Sequence, residues 1–403
     1  MARLNHHYSK LNGNYLFAEI ERRIALFQKK NPKAQLLNLG IGDFTRPLPN
    51  AAVEALLKAG EEMGAPQTFR GYGPAEGYLF LRKAIAKGEY GDLSIGADEV
   101  FISSGAQDDL AHIQEIFAVE NRIAVLNPTY PGYVDINVMA GRTRLPLKTG
   151  GYGGVIYVPC NETNGFCPMP PNRECDLIYL CSPNNPTGTA MDRKTLSAWV
   201  KYAKKNQAVI IFDGAYEAYV RSPEAPRSIY EIEGAKEVAI EVRTFSKSAG
   251  FTGMRCSYAV VPHALKITES HQEYSLHALW KRRQNTKFGG VPYPVQRAAE
   301  ALYSEKGSKE VRAIVDAHLE QAGNLRKGLL KMGYSVYGGI DAPYVWMKAP
   351  KTSWEFFDEL LESAHLVAIP GVGFGSGGEG YIRLSAFANP THLAEGLERF
   401  RAL

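Results

Sequence analysis

Two hydrophobic rhythms alternate through the middle of this 403-residue chain. Short runs such as Arg122-Ile123-Ala124-Val125-Leu126, Leu177-Ile178-Tyr179-Leu180, Ala208-Val209-Ile210-Ile211-Phe212 and Val238-Ala239-Ile240-Glu241-Val242 are apolar almost throughout, not at every second position. Strands covered on both faces read this way, and between them apolar residues recur at helical spacing. The alternation predicts crossover units: an α/β fold with a mostly parallel sheet and helices on both faces.

After about residue 296 the pattern changes. A long helical stretch, roughly Val311 to Met332, leads into strand-like Tyr334-Ser335-Val336-Tyr337 and Tyr344-Val345-Trp346-Met347, with Tyr381-Ile382-Arg383-Leu384-Ser385 later. This predicts a small α+β domain over 297–403 after a large domain over 46–296. Residues 1–45 are expected to form an N-terminal arm that belongs partly to the small domain, with amphipathic Tyr15 to Lys29 packing there.

Composition narrows the classes. A hydrophobic content of 45% and a charged content of 22% are those of an ordinary globular protein. A net charge of +4 is too mild to argue for nucleic acid. No stretch has the apolar length of a membrane span, and Met1-Ala2-Arg3-Leu4-Asn5-His6-His7 does not read as a signal peptide. Five cysteines without C-x-x-C pairs make neither a disulfide framework nor a zinc site, so no metal is expected and a cytoplasmic location is.

Candidate chemistry gathers where strands end, because ligands of open α/β sheets bind outside the carboxyl ends. The run Thr244-Phe245-Ser246-Lys247-Ser248-Ala249-Gly250-Phe251-Thr252-Gly253-Met254-Arg255 follows one strand. Desolvation there favours a neutral lysine able to form an imine with a carbonyl cofactor, and Ser246 with Arg255 suits a phosphate dianion. Together these point to pyridoxal phosphate (PLP); a surface lysine in a glycine-containing turn is the competing reading.

Other strand ends add groups. Asp213 needs a partner if buried, and a pyridinium N–H would serve. Tyr216 and Asn185 could hydrogen-bond a ring oxygen, although Asn184-Asn185-Pro186-Thr187-Gly188 also reads as a plain turn. Gly105-Ala106-Gln107 opens a helix whose N–H groups suit phosphate, with Asp108 and Asp109 expected to point outwards. Tyr130 could stack on a flat ring or fill the core. Arg383 could clamp a carboxylate or lie on the surface. Gly373-Phe374-Gly375-Ser376-Gly377-Gly378 matches G-x-G-x-x-G, but a strand follows where a dinucleotide site needs a helix, so a mobile loop is expected instead.

Asn185, Asp213, Tyr216, Lys247, Arg255 and Arg383 occur in the order found in fold-type I PLP aminotransferases. The chain resembles that family over nearly its whole length, and within it most resembles the LL-diaminopimelate aminotransferases. Matching stretches include Asn14-Tyr15-Leu16-Phe17, Leu39-Gly40-Ile41-Gly42-Asp43, Arg70-Gly71-Tyr72-Gly73 and Ala342-Pro343-Tyr344. The resemblance implies a seven-stranded, mostly parallel sheet and a homodimer with shared active sites. It implies that Lys247 is the Schiff-base lysine, that Asp213 pairs the pyridine nitrogen, and that Asn185 and Tyr216 hold the phenolic oxygen. Ser246, Arg255 and the Gly105, Ala106 and Gln107 amides would hold the phosphate, with Tyr72 reaching it from the neighbouring subunit and Tyr130 stacking on the ring. Arg383 and Asn185 would take the substrate α-carboxylate, with Tyr15 and Gly42 lining the pocket.

Three positions depart from the family pattern. Where the family reads G-Y-G-x-E-Q-G, S-D-G-A-K and F-N-G, this chain has Ala75 for the glutamate, Gln107 for the lysine and Gly289 for the asparagine. In the family these side chains bind the distal groups of diaminopimelate. Each lost charge-assisted contact costs roughly 1.5–3 kcal/mol, so two losses amount to about two to four decades in kcat/KM. Glu76, one position along, is a possible replacement for the missing acid. The expected reaction is a ping-pong amino transfer between a diaminopimelate-like, lysine-like or other basic or bulky amino acid and a 2-oxo acid such as 2-oxoglutarate. LL-diaminopimelate itself, an oxidase, cyclase or eliminase reaction on the same scaffold, and a non-catalytic binding protein are the alternatives.

Overall fold

In a computed structural model that describes residues 1–11, 16–148 and 150–403, the β-branched runs line up as one seven-stranded sheet. Its order is Val100–Ser103, Ser257–Val260, Ala239–Thr244, Val209–Asp213, Leu177–Cys181, Ile123–Asn127 and Val155–Pro159. Ser257–Val260 runs antiparallel to both neighbours, and the remaining pairings are parallel. The inner strands are apolar on both faces because each face carries its own core. Ile178, Leu180, Ile210 and Phe212 point into one, and Tyr179, Val209, Ile211 and Val242 into the other.

Two elements of this region escaped the pattern. Ser257–Val260 is four residues long, and the hairpin Lys266–Glu269 with Gln272–Ser275 is largely exposed, so neither carries a long apolar run.

A second sheet has four antiparallel strands in the order Val336–Gly338, Tyr344–Lys348, Tyr381–Ser385 and Ile369–Pro370. Period-two alternation sends Ile382 and Leu384 into a separate core and turns Arg383 to the opposite face. The helix Glu305–Lys331 leads into this sheet, its start capped by Ser304 Oγ, which accepts from Gly307 N–H at 3.0 Å. Helix Leu16–Lys30 packs nearby, with Arg23 paired to Asp358 at 2.5 Å and stacked 4.2 Å from the Trp354 ring.

The glycine-rich segment before Arg383 is pinned, contrary to the expectation of a mobile loop. It forms two short 3-10 turns, Gly371–Phe374 and Ser376–Gly378. Asn127 Oδ1 accepts from Gly377 N–H at 2.9 Å, and Thr129 N–H donates to Phe374 O at 2.8 Å. The glycines serve close approach, since a Cβ at Gly377 would come within 2.4 Å of Asn127 O.

One buried charge cluster braces the strand that leads to Lys247. Glu241, 0% exposed, accepts from Tyr90 Oη at 2.7 Å, Arg243 Nε at 2.6 Å, Ser228 Oγ at 2.7 Å and Ile229 N–H at 2.9 Å. Arg243 also reaches Glu89 at 3.0 Å. Removing one partner strands the other charge, so Arg243→Met is expected to cost about 3–5 kcal/mol of stability. Urea unfolding of the variant beside wild type measures it, and a loss under about 1 kcal/mol, the scale of an exposed pair, contradicts the brace.

Candidate functional site

Three strand ends set the floor of one cavity. The register brings Cys181 opposite Asp213, where two parallel strands end side by side, and Asp213 opposite Val242, two residues before the third strand ends at Thr244. Above them lies a space of ≈ 330 Å³. The strand Ala239–Thr244 runs directly into the short helix Phe245–Ser248, whose start is capped by Thr244 Oγ1 accepting from Ser246 N–H at 3.1 Å. That turn carries Lys247 into the cavity. Its Nζ donates to Gly42 O at 2.5 Å and lies 5.6 Å from the Phe387 ring centre.

Asp213 is 6% exposed at the end of its strand. Tyr133 Oη donates to its Oδ2 at 2.6 Å, and Ala215 N–H donates to Oδ1 at 3.0 Å. Burial pushes its pKa above the usual carboxylate range, while those two hydrogen bonds and the Lys247 charge pull the other way. Tyr133 received no role from the sequence. It sits in the first turn of Gly132–Ala140, three residues after Tyr130, and only the crossing of that helix over the sheet brings it to Asp213.

An anion-binding corner forms opposite. Gly105 caps the helix Ala106–Ile113 with φ 140°, and a Cβ there would come within 2.0 Å of Arg255 Nη2. Only glycine leaves that guanidinium room. Arg255, with φ 56°, donates to Thr252 O at 3.2 Å. Ser246, Ala106 and Gln107 line the same cavity. Helix N–H groups, a hydroxyl and a guanidinium are the donor set a phosphate requires.

Asp109 does not point outwards as expected. It lies 1% exposed beneath this corner, accepting from Ser103 Oγ and, at 3.0 Å, from Ser257 Oγ, which itself accepts from Gly105 N–H at 3.0 Å. Those hydroxyls allow the carboxyl to sit inside the protein, and burial pushes it up to about 7. Asp108 is half-exposed and accepts from Ser104 Oγ at 2.6 Å.

At the opposite wall Arg383 is 2% exposed. Nη1 donates to Asn185 Oδ1 at 2.7 Å and Nη2 to Gly40 O at 3.2 Å. The Tyr344 and Phe374 ring centres lie 4.4 and 5.0 Å from its guanidinium carbon. Nε has no partner, and among the described residues no carboxylate pairs with it. A buried cation held by neutral groups leaves capacity for an anion. Tyr216 and Tyr344 share a hydroxyl contact of 2.9 Å. From the sequence Tyr344 was the start of a strand and part of a matching stretch, without a role in the site.

The cavity thus brings together Lys247, Asp213, Tyr216, Tyr130 and Asn185 with Gly42, Ala106, Gln107, Ser246, Arg255 and Arg383, and Gly105 backs it. Four expected residues stand elsewhere on the chain. Tyr72, fully exposed, and Gly289 line a separate space of ≈ 400 Å³. Ala75 and Glu76 are half-buried on the adjoining loop. The Glu76 carboxylate pairs with Lys281 at 3.2 Å; burial opposes its charge, but its own N–H and Lys281 hold its pKa below the usual range. Tyr15 lies outside the described residues.

Residues 34–400 match the family model described as aminotransferase class I and II. The chain belongs to that family. It is an aminotransferase of the PLP-dependent kind. It is 51% identical to an LL-diaminopimelate aminotransferase of Agathobacter rectalis, covering 100% of both chains. It is 48% identical to one of Methanosphaera stadtmanae, covering 100% of this chain and 99% of that one. Among solved structures, the LL-diaminopimelate aminotransferase of Chlamydomonas reinhardtii superposes with a TM-score of 0.93 at 42% identity, over 100% of this chain and 98% of that one.

The buried Asp109 carries a pH signature. Between about 3.8, its ordinary value, and about 7 the folded aminotransferase keeps a proton that the unfolded chain has lost. Stability from this group is therefore full below that window and falls as pH rises through it. Asp109→Asn is expected to remove this part of the slope in thermal melts taken across the window. An unchanged slope contradicts the assignment.

Proposed function

We propose that this aminotransferase binds pyridoxal 5′-phosphate in the Lys247 cavity and transfers the α-amino group of an amino acid with a long polar or bulky side chain to a 2-oxo acid. The observation that carries the reading is Arg383: a buried guanidinium without a carboxylate partner among the described residues, facing the same cavity as the lysine amine. Two N–H groups of a planar guanidinium match the two oxygens of a substrate α-carboxylate.

When bound, the cofactor supplies a carbonyl carbon that accepts the amino group and a ring that withdraws electrons from the substrate Cα. The chain supplies the rest. Among the described residues Lys247 is the one amine lining the cavity, suited to hold the cofactor covalently and to carry a proton to and from the substrate carbon. Asp213 would pair the ring nitrogen and keep it protonated, with Tyr133 orienting the carboxylate. Tyr216 and Asn185 would donate to the ring oxygen, and Tyr130 would stack on the ring. Arg255, Ser246 and the amides from Gly105 to Gln107 would hold the phosphate. Arg383, held at Asn185 and Gly40, orients the substrate carboxylate beside Gly42.

The remaining wall comes from a second copy of the chain in a cytoplasmic homodimer. Tyr72 is fully exposed and lines none of its own chain's Lys247 cavity, as fits a residue that completes a neighbour's site. Ala75 and Gly289 would lie at the distal end there, smaller and uncharged, while Glu76 is already engaged by Lys281. This favours a substrate whose far end is held less strictly than diaminopimelate. A second reading, LL-diaminopimelate as donor in lysine biosynthesis, is favoured by the full-length likeness to relatives of that name.

Initial rates with LL-diaminopimelate, lysine, ornithine, arginine and aromatic amino acids, each with 2-oxoglutarate, separate the two. A lysine-like or bulky donor is expected to win, and diaminopimelate winning by decades decides for the second reading. Glutamate should form in proportion to donor consumed; ammonia release or oxygen uptake in its place rules out transamination. Arg383→Gln should lower kcat/KM by about two to four decades, the loss of two charge-assisted bonds of about 1.5–3 kcal/mol each. Retained kcat/KM in that variant sinks the carboxylate role.

A further inference from the structure

Lys247 is held from below as well as from the cavity side. Tyr219 is 0% exposed, and its hydroxyl donates to the backbone carbonyl of Lys247 at 2.7 Å. The same hydroxyl lies 3.1 Å from His318 Nδ1, on the long helix Glu305–Lys331. A carbonyl oxygen only accepts, so the single tyrosine proton goes to Lys247 O. His318 Nδ1 must then carry a proton and donate to Tyr219 Oη, which leaves Nε2 as the bare nitrogen. That atom is buried without a partner among the described residues.

The surroundings keep this arrangement neutral and rigid. His318 is 1% exposed, with the Phe44 and Phe387 rings edge-on at 5.1 Å each. Burial and the Arg46 charge lower its pKa to about 4, so the ring stays uncharged at neutral pH. The same two aromatic residues tie it to the lysine side chain. Phe387 lies 5.6 Å from Nζ, and Phe44 follows shortly after Gly42, whose carbonyl accepts from Nζ at 2.5 Å. A leucine would fill this space without leaving a nitrogen unpaired. What histidine adds is one N–H aimed at Tyr219.

We propose that His318 and Tyr219 form a positioning pair that fixes the backbone of Lys247, so that its amine meets the reacting carbon in one orientation. The pair touches neither substrate nor reacting atoms and acts through Lys247 alone. It also couples the long helix, and with it the sheet bearing Arg383, to the lysine. This inference rests on the reading of Lys247 as the reactive amine.

The test compares holoenzyme of wild type, Tyr219→Phe, His318→Leu and His318→Asn, the last keeping an N–H near the Nδ1 position. Borohydride reduction followed by peptide mass spectrometry first checks that wild type carries the cofactor on Lys247. A label on another residue, or none, sinks the reading of Lys247 itself and the pair with it. With Lys247 labelled, Tyr219→Phe and His318→Leu should lower kcat about tenfold to a hundredfold, the scale of a small misplacement of a reacting group, with KM for the donor within about threefold. They should also shift the pH midpoint of the resting enzyme's visible absorption, because the nitrogen of Lys247 loses its fixed orientation when the backbone beneath it is released. His318→Asn should recover most of both effects. Unchanged kcat and midpoint in Tyr219→Phe overturn the proposal, even if its melting temperature falls. If Tyr219→Phe does not fold, the two His318 variants decide: Asn no better than Leu overturns it.

Discussion

The guanidinium of Arg383 is a full charge taken out of water with no carboxylate paired to it among the described residues, and three distant parts of the chain are arranged around that fact. Asn185 comes from the turn after a central strand of the large sheet, Gly40 from the N-terminal segment, and Tyr344 from the neighbouring strand of the small sheet. An unpaired buried cation costs several kcal/mol, which amide, carbonyl and ring contacts only partly offset. The same geometry that leaves the charge without a carboxylate partner is what the proposed substrate binding would use.

The other end of the cavity has the opposite balance. Asp213 is an acid in an apolar floor, held by a tyrosine hydroxyl and one backbone N–H, with the charge of Lys247 favouring its ionised form. Between the two ends lie Lys247 and the donors around Arg255. Cation-bearing walls at two sides, a carboxylate at the floor and an amine in the centre form the electrostatic layout on which the proposed cofactor and substrate sites rest. The parallel strands hold this layout in register, because Cys181, Asp213 and Val242 lie side by side and the third strand runs on two residues into the turn that bears Lys247.

Much of this was legible residue by residue. Runs such as Leu177 to Leu180 and Ala208 to Phe212 announced buried strands because both their faces are covered, and Tyr381 to Ser385 appeared with the same bounds. Ser257–Val260 was not legible, since four residues between loops carry too little pattern. Asp109 was misread because first-turn acids usually face solvent, whereas here two serine hydroxyls from different strands accept it inside. The glycine loop before Arg383 was read as mobile because glycine signals freedom; in the fold those glycines allow close approach to Asn127.

The amino-acid sequence by itself determined the parallel sheet, the long connecting helix and the reactive groups at strand ends, since each follows from local periodicity or from one residue type beside a turn. It also displayed the three altered positions, Ala75, Gln107 and Gly289. Only the tertiary structure decided that Tyr133 braces Asp213, that Tyr219 and His318 sit beneath Lys247, and that Gln107 shares the lysine's cavity while Ala75 and Gly289 do not. The reason is physical: partners 80, 28 and 99 positions apart in the chain meet through the crossing of helices over a sheet, and no local pattern encodes that crossing.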